Sequence, residues 1–142
     1  MKRSFWKKGS AEIIAFVMIL PFLILPIINT VNMLSDLVVY DRIRQAARQA
    51  IICTEIDGGL TWQKYVQIYT SLEDKIVWGN WRELHFDYTG YPVEYGEEVK
   101  VKISYNYPRR RYSIGLGGIK RIDEPATMVY GPLKSISKKY ER

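Results

Sequence analysis

Residues 13–35 carry no charge, and from 13 to 28 every side chain is apolar or proline. As a helix rising 1.5 Å per residue the uncharged run measures about 35 Å, enough to cross a hydrocarbon core of roughly 30 Å. The stretch therefore predicts a membrane-spanning helix. Lys2, Arg3, Lys7 and Lys8 precede it, whereas the first charges after it are Asp36 and Asp41. That asymmetry predicts a cytoplasmic N-terminus and places the remaining residues outside the cytoplasm.

The chain has 142 residues, which leaves room beyond the anchor for one small domain. Its formal charge of +6 resembles a nucleic-acid signal, but four of the positive charges lie in the first nine residues, leaving +2 downstream. The basic balance is thus mainly a topology signal. Cys53 is the sole cysteine, which rules out an internal disulfide and any CxxC motif. At helical spacing from Ala46 and Ala50, it reads as a small buried hydrophobe, with bridging to another subunit left open.

From 31 to 53 the positions Leu34, Leu37, Val38, Ile43, Ala46, Ala47, Ala50 and Ile51 recur three and four apart, predicting that the helix continues with one buried stripe. Asp57-Gly58-Gly59 is its expected stop, giving a helix of roughly 40 residues. Pro21 and Pro26 each remove a backbone donor inside the run, so a kink or a locally unwound segment is expected there. Thr61 is positioned to cap a second helix with a stripe of Trp62, Tyr65, Val66, Tyr69, Leu72, Ile76 and Val77, ending near Trp78-Gly79-Asn80.

The rest reads as strands. Residues 84–88 alternate, and Val99, Val101, Ile103, Tyr105 and Tyr107 alternate with Lys100, Lys102, Ser104 and Asn106 in the clearest strand of the chain. Pro108 is expected to end that strand, residues 109–118 to form a long connection, and residues 127–130 to be a last strand before Gly131-Pro132. The expected fold is α+β: a long N-terminal transmembrane and amphipathic helix, a short second helix, and a small antiparallel sheet of three strands. By segment, 1–9 is a basic leader, 10–35 the membrane helix, 36–58 its amphipathic continuation and 60–142 the small domain.

Catalytic chemistry finds no support. His85 is the only histidine, and its strand face, shared with Trp81, Glu83 and Asp87, reads as solvated surface. Glu73-Asp74, Glu97-Glu98 and Asp123-Glu124 are sequence neighbours, and on a strand neighbours point to opposite faces. Gly115-Leu116-Gly117-Gly118 lacks the strand-loop-helix setting of a dinucleotide fingerprint. No enzyme activity, cofactor or metal is expected.

Three features carry a functional reading. Between the basic leader and the apolar run stands Gly9-Ser10-Ala11-Glu12. No small-x-small cleavage site follows the run, and the run exceeds the h-region of a secretory signal. The arrangement resembles a class III leader, which implies a cut after Gly9 and Ser10 as the new terminus. Glu12 has two readings: a first-turn anion of a helix capped by Ser10, with Lys8 as partner, or a carboxylate that neutralises the amino terminus of a neighbouring subunit within a helical bundle. Arg109, Arg110 and Arg111, set among Tyr105, Tyr107 and Tyr112, are a candidate anion contact. Lipid headgroups, wall polymers and acidic subunits are available to them outside the membrane, and nucleic acid is the weaker choice.

The leader, the apolar run 15–21 ending in Pro21, the segment Arg42-Ile43-Arg44-Gln45-Ala46-Ala47-Arg48-Gln49-Ala50 and the strand pattern Gly96-x-x-Val99-x-Val101-x-Ile103-x-Tyr105 together resemble TadE-type minor pilins, or pseudopilins. The order of these motifs, more than any one of them, carries the resemblance. It implies processing by a prepilin peptidase, storage in the membrane, and incorporation into a type IV-like pilus or secretion filament, with other pilin-like subunits and an assembly platform as partners. Glu12 and Pro21 would then be subunit contacts. Glu12 stands closer to Gly9 than the family's glutamate does to its cleavage site. The alternative is a permanent single-pass anchor that presents a small domain to a conjugation, secretion or envelope complex.

Overall fold

The computed structural model describes residues 3–76 and 83–139, with side chains from residue 9. In chain order the elements are α1 (Arg3–Asp57), α2 (Trp62–Glu73), β1 (Leu84–Tyr88), β2 (Glu98–Gly115) and β3 (Gly118–Ile136). The strands form one antiparallel sheet in the order β1-β2-β3, so the fold is α+β as expected. The chain divides into two compact units. One comprises Met1–Ser35 with Arg110–Glu124, and the other Asp36–Arg109 with Pro125–Arg142.

The second unit holds the core. Val39, Ile43, Ala46, Ala47 and Ala50 of α1 are buried together with Ile68 and Leu72 of α2, Leu84 of β1, and Val101, Ile103, Tyr105 and Tyr107 of β2. The alternation read from the sequence holds here, with every odd position from Val99 to Tyr107 buried. Its register on β1 pairs Leu84 with Tyr105 and Tyr88 with Val101. Three alanines on α1 leave a shallow helix surface that admits the large β2 side chains at close range. Thr54, fully buried, avoids an unpaired hydroxyl by donating to the Ala50 carbonyl at 2.7 Å.

Helix α1 stops where the diglycine predicts. Gly58 takes φ +69° and Gly59 φ +115°, and a Cβ on Gly59 would lie 2.5 Å from the Cα of Tyr91. Only glycine lets the chain leave the helix at that approach. Leu60 then donates to the Thr89 carbonyl at 3.1 Å and Val93 to the Gly58 carbonyl at 2.7 Å, seating the turn against residues 89–93.

Several expectations need correction. Helix α1 has 55 residues and runs unbroken through Pro21 and Pro26, so no unwound segment forms. The Thr30 hydroxyl donates to the Pro26 carbonyl at 2.8 Å, an extra bond in this stretch. Because α1 starts at Arg3, Ser10 is not its cap and Glu12 is not in its first turn. Leu34, Leu37 and Val38 are exposed and Val39 is buried in their place; the stripe turns toward the face the sheet covers. In α2, Trp62 and Val66 are exposed while Ile68 is buried. Thr61 holds the cap position without a side-chain cap hydrogen bond. Helix α2 ends at Glu73 with Asp74 as its C-cap, short of the expected end near 78–80, and Ile76 lies beyond it; Val77 and Trp81 lie outside the described residues.

The largest difference is the hairpin. Residues 109–111 lie within β2, which continues past Pro108 to Gly115, and β3 extends from Gly118 through Gly131-Pro132 to Ile136. Proline is tolerated because Lys100, an even number of residues earlier, directs its carbonyl to Thr89 on the β1 edge. By alternation the Pro108 nitrogen faces that same edge, where β1 pairing has ended at Tyr105. Gly131, at φ +102°, lets β3 press on β2: a Cβ there would meet the Val101 carbonyl oxygen at 2.6 Å.

Candidate functional site

The residues singled out from the sequence fall on the apolar half of α1 and on the hairpin, and each unit contributes its own piece. In the first unit the side chains of Ile13, Ile14, Phe16, Val17, Met18, Ile19, Phe22, Leu23 and Ile27 are all more than half exposed. Each such side chain is worth about 1.5–3 kcal/mol when moved from water to an apolar phase. A helix apolar all round belongs in lipid or in a bundle. Among the described residues α1 is the one helix long and apolar enough to cross a membrane, and it fits a single-pass anchor.

Gly9 sits inside α1, where a Cβ would meet nothing within 4 Å. Packing does not require glycine there, and glycine costs a helix about 1 kcal/mol relative to alanine. Ser10 and Glu12 are exposed, and Glu12 has no ion pair among the described residues. The side chain of Lys8, its expected partner, lies outside them. Pro21 is half-buried.

One buried spot breaks the exposed surface. Leu25 is 7% exposed between Ile24 at 39% and Ile27 at 62%, and the rest of this unit beyond α1 is residues 110–124. Here Asn29 behaves as a neighbouring strand would. Its Nδ2 donates to the Tyr112 carbonyl and its Oδ1 accepts from the Tyr112 amide, both at 3.0 Å. Asn32, one turn on, donates to the Arg110 carbonyl at 3.5 Å. The sequence reading passed over both asparagines. Their signal was two amides three residues apart at the end of an apolar helix, where a polar side chain needs a partner.

In the second unit Arg109 turns to Asp36, with Nε 3.5 Å from Oδ2. The Tyr107 hydroxyl donates to the same carboxylate oxygen at 3.2 Å and accepts from Arg109 Nη2 at 3.4 Å. Burial pushes the Tyr107 phenol up, against the lowering influence of Arg109. The arginine triplet is therefore split. Arg109 is committed to an internal pair, the Arg110 carbonyl is bonded to Asn32, and Arg111 is exposed.

Elsewhere in that unit, Tyr65 gathers an aromatic cluster. It stacks on Tyr88 with centroids 5.0 Å apart and meets Phe86 edge-on at 5.5 Å. A shallow polar groove lies between Arg42 and Gln49 of α1 and Ser71 and Lys75 of α2. His85 is exposed and Cys53 half-buried. No group of three His, Cys, Asp or Glu side chains among the described residues is placed to hold a metal. Surface carboxylates are engaged by lysines: Glu98 by Lys134 at 3.0 Å and Lys100 at 3.2 Å, Glu55 by Lys138. Hydrogen bonds from Lys134 and Lys138 hold the Glu98 and Glu55 carboxyls below their ordinary range. No family model, curated protein or solved structure matches this chain.

Proposed function

We propose that the protein is a non-enzymatic structural subunit of the TadE-like minor pilin or pseudopilin type, stored in a membrane and later packed into a filament. The observation that carries this reading is a single helix with two unlike halves. One half is buried in a small α+β domain, and the other is apolar on nearly every face and largely exposed. A pilin needs both, because the same helix must rest in lipid and then pack against copies of itself. Gly9, at a position where packing gives no reason for glycine, supports a cut there, and the basic residues before it support an N-terminus in the cytoplasm. Glu12, exposed and without an ion pair among the described residues, is the natural group to meet a neighbour's amino terminus.

The test is the mature N-terminus, determined by mass spectrometry from cells with and without a prepilin peptidase. A peptidase-dependent start at Ser10 is expected. An uncut leader in both would sink the pilin reading.

A second reading, a permanent single-pass anchor for an envelope, secretion or conjugation complex, is favoured by one observation. Asn29 and Asn32 fasten a hairpin along a face of the helix that a filament bundle would need open. This reading requires that the chain stay with membranes and never enter sheared surface filaments.

A further inference from the structure

The unit formed by Met1–Ser35 and Arg110–Glu124 contains an apolar surface that the anchor alone does not explain. At the hairpin turn Leu116 is fully exposed, and Ile114, Ile119 and Ile122 are 41%, 51% and 42% exposed. Among the described residues nothing buries them. Residues 112–119, Tyr-Ser-Ile-Gly-Leu-Gly-Gly-Ile, carry no charge, and they are bracketed by Arg110 and Arg111 on one side and Lys120 and Arg121 on the other. An uncharged tip with a basic collar is the pattern of a segment that enters lipid while its cations stay at the phosphates.

The hairpin is also aimed correctly. Asn32 bonds Arg110 and Asn29 bonds Tyr112, so β2 runs against the direction of α1 and its tip lies beside the apolar run. The four residues from Tyr112 to Leu116 carry the turn roughly 13 Å past Asn29. Asn29 marks the end of the apolar run, so the turn lies level with side chains that need lipid. The side-chain carbons Cδ and Cε of Lys120 lie 3.7 Å from where a Gly115 Cβ would be, so its stem runs along the tip. Arg121 is paired with Asp123 at 2.6 Å, so four cations face two acids, Asp123 and Glu124. The β2 edge faces α1 through Asn29 and Asn32, so it is the β3 edge that limits how far such a ribbon can sink, since unpaired backbone groups are costly in the hydrocarbon.

We propose that the β2–β3 hairpin tip is a second membrane-contacting element, entering the acyl zone of the leaflet nearest Asn29, with Arg111 and Lys120 held toward anionic lipid phosphates. This rests on α1 being a membrane anchor and is independent of whether the chain is a pilin. The tip fixes the depth and rotation of the helix, because a hairpin bonded to one face of α1 reaches lipid only when that face is turned to it.

Depth-dependent quenching tests the proposal. The full chain, with Cys53→Ala, receives a single labelled cysteine as Leu116→Cys, Phe16→Cys or Glu94→Cys and is reconstituted in phosphatidylcholine vesicles with or without phosphatidylglycerol. Lipids doxylated along the acyl chain should quench both the Leu116 and the Phe16 labels, and neither these nor headgroup doxyls should quench the Glu94 label. Omitting phosphatidylglycerol, or combining Arg111→Gln with Lys120→Gln, should weaken quenching at Leu116 by about threefold. A Leu116 label as unquenched as the Glu94 label, with Phe16 quenched, overturns the hairpin proposal and leaves the anchor standing. Shielding of Leu116 only at high protein-to-lipid ratio assigns the tip to a second copy and overturns it too. Equal quenching without anionic lipid removes the role of the basic collar. An unquenched Phe16 label removes the anchor and the proposal together. Hydrogen exchange of the unaltered chain is a check free of substitutions: amides 116–118 should exchange about tenfold more slowly in anionic vesicles than in detergent.

Discussion

Residues 13–28 and residues 39–54 belong to one helix, yet their side chains meet opposite fates. Ile13, Phe16 and Val17 stand 60% or more exposed, whereas Ile43, Ala47 and Ala50 are completely buried. Backbone geometry is the same in both, so the helix itself does not decide burial. Side-chain size and the available partner do. Alanines leave room for a sheet to close on α1, while an unbroken ring of Ile, Leu, Phe and Val presents no one face for a small domain to cover. Lipid is the solvent that accepts such a ring at no cost.

If the two halves are energetically separate, substitutions should separate them. Ile103→Ala removes a fully buried side chain and should lower the domain's unfolding free energy by about 2–5 kcal/mol. Urea melts in detergent should show that loss while membrane retention is unchanged. Leu20→Arg is the converse, making insertion about 2.5–3.5 kcal/mol less favourable at the helix centre with an unaltered domain melt. Retention as firm as the parent's under alkaline extraction would count against the anchor.

Smaller changes sharpen the boundary. Asn29→Leu leaves the Tyr112 amide and carbonyl without their partner and should cost about 1–3 kcal/mol locally. Exchange should quicken at Tyr112 and stay slow at Tyr105. The weakest expected effect is acid sensitivity. Glu55 and Glu98 bind protons less readily when folded, so their contribution is complete above the unfolded carboxylate value of about 4.3 and fades as pH falls through the folded values. Glu55→Gln with Glu98→Gln should flatten the acid limb of a melting-temperature profile, and an unchanged limb would show that these ion pairs are screened out.

Features set by a few consecutive residues were legible. The uncharged run, the alternation from Val99 to Tyr107 and the Asp57-Gly58-Gly59 stop each rest on local chemistry, and each appears where expected. Features that depend on a distant partner were not. Pro108 looks like a strand end until β1 is seen to stop short of it. Leu37 and Val38 look buried until the sheet is seen to cover Val39 instead. The candidate anion contact at 109–111 is split for the same reason, because Asp36 pairs with Arg109 across the fold.

A long apolar rod, a helix stop and a half-buried strand are written in the residues themselves, because charge, periodicity and glycine conformation act over a few residues. That a hairpin lies along the rod, held by Asn29, and that Arg109 turns to Asp36 emerges from the folded chain alone. Those outcomes depend on which unpaired backbone amide or carboxylate a side chain meets across 70 or more residues of chain, and no local pattern encodes that meeting.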